Sequence, residues 1–347
     1  MQQFTNTSYG NYNSCSFGGS SKHQELGLSS SILKEMYKTM LLTRKLDEKN
    51  WLLNRAGKIP FVVSGQGHEA AQIAMGFALD RSKDYLAPYY RDLGIVTAMG
   101  MTAKEIMLSY FAKKDDPNSG GRQMPHHFSS KKLRILTGSS PLTTQLNHAA
   151  GLAYALTLDG VQDVVCLTTL GEGSTNQGDF HDALNFASIY KLPVVFAVEN
   201  NDYAISTRVE KQVATQTVAD RAKGYNMPGL VVNGMDVFES YKEAKAAIDR
   251  ARRGEGPSLL EFKVKRFTAH SSDDNAANYM TKEEISALKK VDPLDTFKNY
   301  LLDNKVISEA EANQISEAID KEVQEAIIFA ENAASSKAED ALAHVYA

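Results

Sequence analysis

Two short and almost unbroken apolar runs constrain this chain most: DVVCLTTL (163–170) and PVVFAVE (193–199). A strand with one wet face alternates polar and apolar residues, whereas an uninterrupted run belongs to a strand covered on both sides. Gly-rich GEGSTNQG and a helical stretch from about Asp179 to Tyr190 separate the two. Strand, helix, strand at this spacing is a βαβ unit with a right-handed crossover. GLVVNG (229–234), a helix over 237–253 and PSLLEFKVKRF (257–267) continue the alternation. The expected fold is α/β: a doubly wound, mainly parallel sheet with helices on both faces.

Flanking segments read differently. Residues 1–30 are rich in Ser, Asn, Gln and Gly, with no charge before Lys22. Too little apolar surface is present there to offset ordering entropy, so a mostly disordered tail is expected, with a partner-ordered arm as the other reading. Helical patterning runs from Ser31 to about Ala56, resumes after Gly67 (HEAAQIAMGFAL), and opens again at Thr102, where Glu105 completes capping-box spacing. Residues 113–143 show few regular patterns, the mark of a functional or disordered loop. Residues 281–333 read as helical, with capping-box spacing at Thr281/Glu284 and Ser308/Glu311. The expected organisation is a tail (1–30), an α/β domain (31–275) and a helical C-terminal segment packed on it (276–347).

Charge narrows the function. Lys plus Arg total 38 against 42 for Asp plus Glu, a net −4 that argues against a nucleic-acid binder. Two cysteines, one in the tail and one in an apolar run, make neither a disulfide framework nor a zinc site. No apolar stretch reaches about 18 residues, and the start lacks a signal or transit pattern, so no membrane partner and a cytoplasmic location are expected.

In open α/β sheets ligands bind beyond the carboxyl ends of the strands. Gly171-Glu172-Gly173 leaves one such end and Asn200-Asn201-Asp202-Tyr203 the other. A carboxylate, an amide oxygen and a main-chain carbonyl are hard ligands suited to Mg²⁺ that also binds phosphate. The glycines admit an anion close to the backbone, and the next helix offers its N-terminal amides. The loop is neither a G-x-G-x-x-G fingerprint nor a Walker A loop, since Asp179 and Phe180 follow Gly178, which disfavours a nucleotide switch. Read alone, Glu172 could be a plain loop carboxylate and the asparagines turn formers.

The run from Gly171 to Asn201 resembles the thiamine diphosphate motif, Glu172 and Asn201 standing 29 positions apart. With YYRD (89–92), GGRQMPHHF (120–128), GSSPLTTQ (138–145) and AHSSDD (269–274), the chain from about residue 25 onward resembles the α subunit of the branched-chain 2-oxo acid dehydrogenases. That resemblance implies oxidative decarboxylation of a branched-chain 2-oxo acid and acyl transfer to the lipoyl group of an acyltransferase component. It also implies thiamine diphosphate, Mg²⁺ and K⁺ as cofactors, and a β subunit completing an α₂β₂ enzyme. Carried over by position, Glu172, Asn201 and the Tyr203 carbonyl would hold Mg²⁺. Tyr90, Arg91, Gly171, Gly173, Ser174 and His270 would contact the cofactor, Arg91 and His270 at its diphosphate, with Ser140 and Leu142 towards its ring. Ser139, Pro141, Thr144 and Gln145 would hold K⁺, and His270 would be the acid/base of the lipoyl step. His127 is a lesser candidate. Glu199 departs from the mammalian pattern, where an arginine meets the diphosphate; a carboxylate cannot do that. Plainer readings exist for Arg91 with Asp92 (a surface ion pair), Tyr89 and Tyr90 (core aromatics) and His270 (a polar loop residue). The alternative functions are a pyruvate or acetoin dehydrogenase α subunit and a non-catalytic assembly subunit.

Overall fold

A computed structural model of the protein describes residues 21–343. Its strands are β1 Tyr85–Ala87, β2 Cys166–Gly171, β3 Val194–Asn200, β4 Tyr203–Ala204, β5 Thr207–Arg208, β6 Gly229–Asn233 and β7 Ser258–Lys263. Five of them form one sheet in the order β1-β2-β3-β7-β6, every pair parallel, while β4 and β5 make a separate hairpin. Both faces of β3 are covered, as its continuous apolar sequence requires. Val194, Phe196 and Val198 enter a core shared with helices Thr144–Leu158 and Gly178–Ile189, and Val195 and Ala197 enter the opposite one. That second core holds helix Glu69–Ala78, which is buried except at half-buried Phe77 and is mostly apolar, with Glu69 and Gln72 as its buried polar residues.

The C-terminal helix Glu309–Asn332 buries Ala312, Ile315, Ile319, Val323 and Ile327, a stripe at helical spacing that joins the same core. A buried ionic clasp fastens this region. Arg44 donates to Glu69 (2.5 Å) and, bidentately, to Asp292 (2.6 and 3.0 Å), whose carboxylate also caps helix Pro293–Asp303.

Several expectations need adjustment. Residues 1–20 of the expected tail lie outside the described residues, but residues 21–29 are held in place. His23 packs edge-on to Tyr300, its Nδ1 2.9 Å from the phenol oxygen, and Leu28 is buried. The helical stretch over 281–333 is three helices, Lys282–Leu288, Pro293–Asp303 and Glu309–Asn332, with Pro293 restarting the chain at a first helical turn. The Thr281 box forms, whereas at Ser308 only the hydroxyl caps, because Glu311 turns to Lys34 (2.7 Å). Strand β1 and helix Thr144–Leu158 were not expected. The first is three residues long, and the second exposes Leu158 and half-exposes Leu152 and Tyr154, which blurs its period. The loop over 113–143 is irregular but tied down, since the buried Asp116 carboxylate accepts from the amides of Asn118, Ser119 and Gly121.

Candidate active site

Parallel pairing sets Gly171 opposite Glu199, so the segments leaving β2 and β3 emerge side by side at one sheet edge. The segment after β1 carries Tyr89 to Asp92, and the one after β7 carries Arg266 and His270 to the same edge, where Arg91 meets His270. Four strand ends therefore supply one site.

Glu172 and Asn201 meet there. Glu172 is 1% exposed; its Oε2 accepts a long bond from the Asn201 amide (3.4 Å) and its Oε1 has no partner. Burial pushes this carboxyl up to about 7, a desolvation that its backbone hydrogen bonds and the Arg266 charge offset only in part. Asn201 Oδ1 accepts from the Tyr203 amide at 3.2 Å, which closes the turn that brings Tyr203 beside it. Among the described residues no group of three or more His, Cys, Asp or Glu could hold a metal ion. What converges instead is one carboxylate with neutral oxygens, a set that fits Mg²⁺ only when phosphate oxygens complete it. Gly173 is required by space: a Cβ there would lie 2.4 Å from that of Ala204. The first amides after Glu172 belong to a 3₁₀ turn, Glu172–Asn176, and the helix expected from about Asp179 follows as Gly178–Ile189.

The cationic side is equally built. Arg91 is 2% exposed, not a surface residue, and is not paired with Asp92. It donates to the Ser64 carbonyl, lies 3.4 Å from His270 Nδ1, and sits over the Tyr90 ring. His270 is lowered to about 4 by burial, then by the Arg91 and Arg266 charges, so its imidazole is neutral near pH 7. Arg266, which the sequence reading passed over, is buried with its Nε and Nη1 lacking partners, while Nη2 donates to the Ile205 carbonyl and the Tyr279 hydroxyl. The cationic run KVKRF at the end of β7 was its only signal. Two buried guanidiniums, Arg266 acting on the Glu172 carboxylate and Arg91 acting on Arg266, fit an anion bridged to a cation.

Beneath lies a dry floor. Glu199 Oε2 accepts from His68 Nδ1 (2.6 Å), the Tyr89 hydroxyl (2.8 Å) and Gln72 (3.0 Å), all fully buried or nearly so. Asp92 joins it, accepting from the Tyr89 amide and Thr169; burial and then the Glu199 charge push its carboxyl well above the usual range. Burial holds His68 below its ordinary value, which makes its bond to Glu199 a neutral donor on a carboxyl.

Above lies an open rim. Half-buried His127 has Nδ1 2.9 Å from the Met124 carbonyl and Nε2 2.5 Å from the exposed Ser140 hydroxyl. The donation to Met124 leaves Nε2 as acceptor for Ser140. His126 does not share an ion with it; it is buried between Tyr110 and Phe128, and desolvation lowers it to about 3. Ser139, Pro141, Thr144 and Gln145 lie in one turn before helix Thr144–Leu158. Thr144 donates to the Pro141 carbonyl (3.2 Å), and Gln145 donates to the Thr169 carbonyl (2.9 Å). Leu142 is exposed, and Ser174 is buried beside Gly173.

Residues 37–339 match the dehydrogenase E1 component family. The chain is 54% identical over 326 residues to the 2-oxoisovalerate dehydrogenase subunit alpha of Bacillus subtilis (strain 168), covering 94% of this chain and 98% of that one. It is 35% identical over 306 residues to the pyruvate dehydrogenase E1 component subunit alpha of Staphylococcus aureus (strain Mu50 / ATCC 700699), covering 88% and 80% respectively.

Proposed function

The chain belongs to the dehydrogenase E1 component family, and on that premise we propose that it is the α subunit of a thiamine diphosphate-dependent 2-oxo acid dehydrogenase acting on branched-chain substrates. The observation that carries this is the buried convergence of Glu172 and Asn201, with one carboxylate oxygen unpartnered, beside Arg91 and Arg266. The 54% identity to a 2-oxoisovalerate enzyme, against 35% to a pyruvate enzyme, supports the branched-chain reading over pyruvate.

In this reading Glu172, Asn201 Oδ1 and the Tyr203 carbonyl hold Mg²⁺. Arg91 and Arg266 neutralise the diphosphate and His270 contacts it as a neutral hydrogen-bonding group, assisted by the backbone at Gly171, Gly173 and Ser174 and by the Tyr90 ring. Ser140 and Leu142 face the cofactor ring, and Ser139, Pro141, Thr144 and Gln145 hold K⁺. Thiamine diphosphate, when bound, supplies the electron sink for decarboxylation. The protein contributes placement and proton handling: neutral His270 is poised to exchange a proton in acyl transfer to a lipoyl group, and His127 orients the Ser140 hydroxyl. A β subunit covers the open rim, where Leu142 stands exposed, and supplies groups this chain lacks; two copies of each chain form the enzyme. No helix among the described residues is long and apolar enough to cross a membrane, which is compatible with a cytoplasmic location.

Co-expression with a β subunit tests this. The pair is expected to decarboxylate 3-methyl-2-oxobutanoate faster than pyruvate, with Mg²⁺ and thiamine diphosphate required, and the α chain alone is expected to be inert. Robust turnover by the α chain alone, or a preference for pyruvate, overturns it.

A further inference from the structure

We infer that His68 is a positioning residue that dictates which end of the Asn201 amide faces the metal. The inference rests on the Mg²⁺-diphosphate reading above. His68 is fully buried at the start of helix Glu69–Ala78, between Glu199 and Asn201. Its Nδ1 lies 2.6 Å from Glu199 Oε2, an oxygen that already accepts from Tyr89 and Gln72. A carboxylate oxygen only accepts, so Nδ1 carries a proton; and because the Tyr203 N–H donates to Asn201 Oδ1, the N–H₂ end of that amide faces Nε2, which must accept and is bare. That bare nitrogen lies 3.4 Å from Asn201 Nδ2. Only the amide N–H₂ can donate to it, so the amide oxygen is turned to the other side, where it accepts from the Tyr203 main-chain N–H, while the main-chain N–H of Asn201 itself reaches Glu172. An amide flipped by half a turn would face a lone pair with a lone pair at His68 and offer N–H groups to the cation. Glu199 thereby acquires a role: it is the acceptor that fixes the tautomer, and it replaces no phosphate ligand. Gln72, four residues along the same helix face, also donates to the Arg91 carbonyl (3.0 Å), so one helix end braces both the metal side and the diphosphate side.

Two substitutions separate the two imidazole nitrogens. In His68→Gln the side-chain amide reaches the Nε2 position and can still accept from Asn201. In His68→Asn the shorter amide reaches only the Nδ1 position, so the bond to Glu199 survives and Asn201 loses its guide. The measurement is calorimetric titration of Mg²⁺ into the α₂β₂ enzyme with thiamine diphosphate present, with the half-saturating Mg²⁺ for activity as a second readout. His68→Asn is expected to weaken Mg²⁺ roughly tenfold or more, within the range for groups that orient metal ligands, and excess metal is expected to restore binding. His68→Gln is expected to stay within about threefold of the parent, the loss of one modest hydrogen bond at most. Equal Mg²⁺ affinities for the two variants overturn the inference. Should His68→Asn fail to fold, Glu199→Gln serves: its amide can donate or accept, so it no longer fixes the tautomer. Unchanged Mg²⁺ affinity in folded Glu199→Gln overturns the inference as well. Glu172→Ala separates this failure from the larger one. If Glu172→Ala binds Mg²⁺ and cofactor as the parent does, the underlying site is wrong; if it does not, and the His68 variants match, only the role of His68 falls.

Discussion

The floor and the rim of the candidate site are made by opposite means. On the floor, His68, Gln72, Tyr89, Asp92 and Glu199 are almost wholly excluded from solvent and bonded to one another, so each has one available orientation. On the rim, His127 and Ser140 share a single side-chain bond, Leu142 is exposed, and His270 is half-buried. A buried polar group left unbonded costs about 1–3 kcal/mol; Glu199 Oε1 already stands unpartnered, and breaking the remaining bonds would add to that cost, so the floor resists rearrangement, while the rim can adapt to substrate and partner. Changes to the floor and metal side should therefore appear in binding and stability, and changes to the rim in turnover.

The largest expected effect is at the metal side. Glu172→Ala should abolish Mg²⁺-dependent binding of thiamine diphosphate, a loss of at least roughly 100-fold by calorimetry, beyond that expected for groups which only orient a ligand. On the rim, His270→Ala should lower acyl transfer roughly 100-fold, as for removal of an acid/base group, with a smaller loss of cofactor affinity. If affinity falls more than turnover, the division between floor and rim breaks at this residue. Gly67→Ala tests the attachment of the segment below the site to the chain after β7. Gly67 has φ +92° and a Cβ there would lie 2.0 Å from the Lys265 carbonyl oxygen, so a loss of about 1–3 kcal/mol or more is expected in urea unfolding.

Asp47 holds Ser64 and Gly65, whose neighbouring carbonyl receives Arg91, and burial pushes its carboxyl up to about 7. The folded state therefore binds this proton more tightly than the unfolded chain. Its contribution to stability is full below about 4 and is lost as pH rises through about 7. His126, lowered to about 3, has the opposite slope: its contribution is full above about 6.5 and is lost as pH falls towards 3. Because the two slopes oppose each other between about pH 4 and 6.5, urea midpoints measured between pH 4 and 8 should fall less, or rise more, with pH in Asp47→Asn than in the parent; an unchanged pH dependence would mean that Asp47 is already ionised when buried. The smallest effect is expected for His127→Asn, a few-fold drop in turnover with cofactor affinity retained.

Much of this was legible in the sequence where the signal is local. Glu172 and Asn201 follow continuous apolar runs, and adjacent parallel strands leave their ends at one edge, so motif and fold point the same way. Arg91 was named, but its depth was not, because a guanidinium next to an aspartate reads equally as a surface pair. Arg266 was hidden in a cationic strand end, where only tertiary packing separates the buried arginine from half-exposed Lys263 and Lys265. His68 and Gln72 gave no signal, since four-residue spacing on an apolar helix says which face they share and not what that face meets.

Sequence alone determined the layered α/β architecture, through strands apolar on both sides, and brought a carboxylate and an amide to adjacent strand ends, through parallel pairing. Tertiary structure decided the rest: which carboxylates meet which donors, which side chains a histidine stands between, and which nitrogens of a buried arginine lack a partner. These are outcomes of who stands within about 3 Å of whom, and hydrogen bonding at that range depends on the packing of segments more than a hundred residues apart.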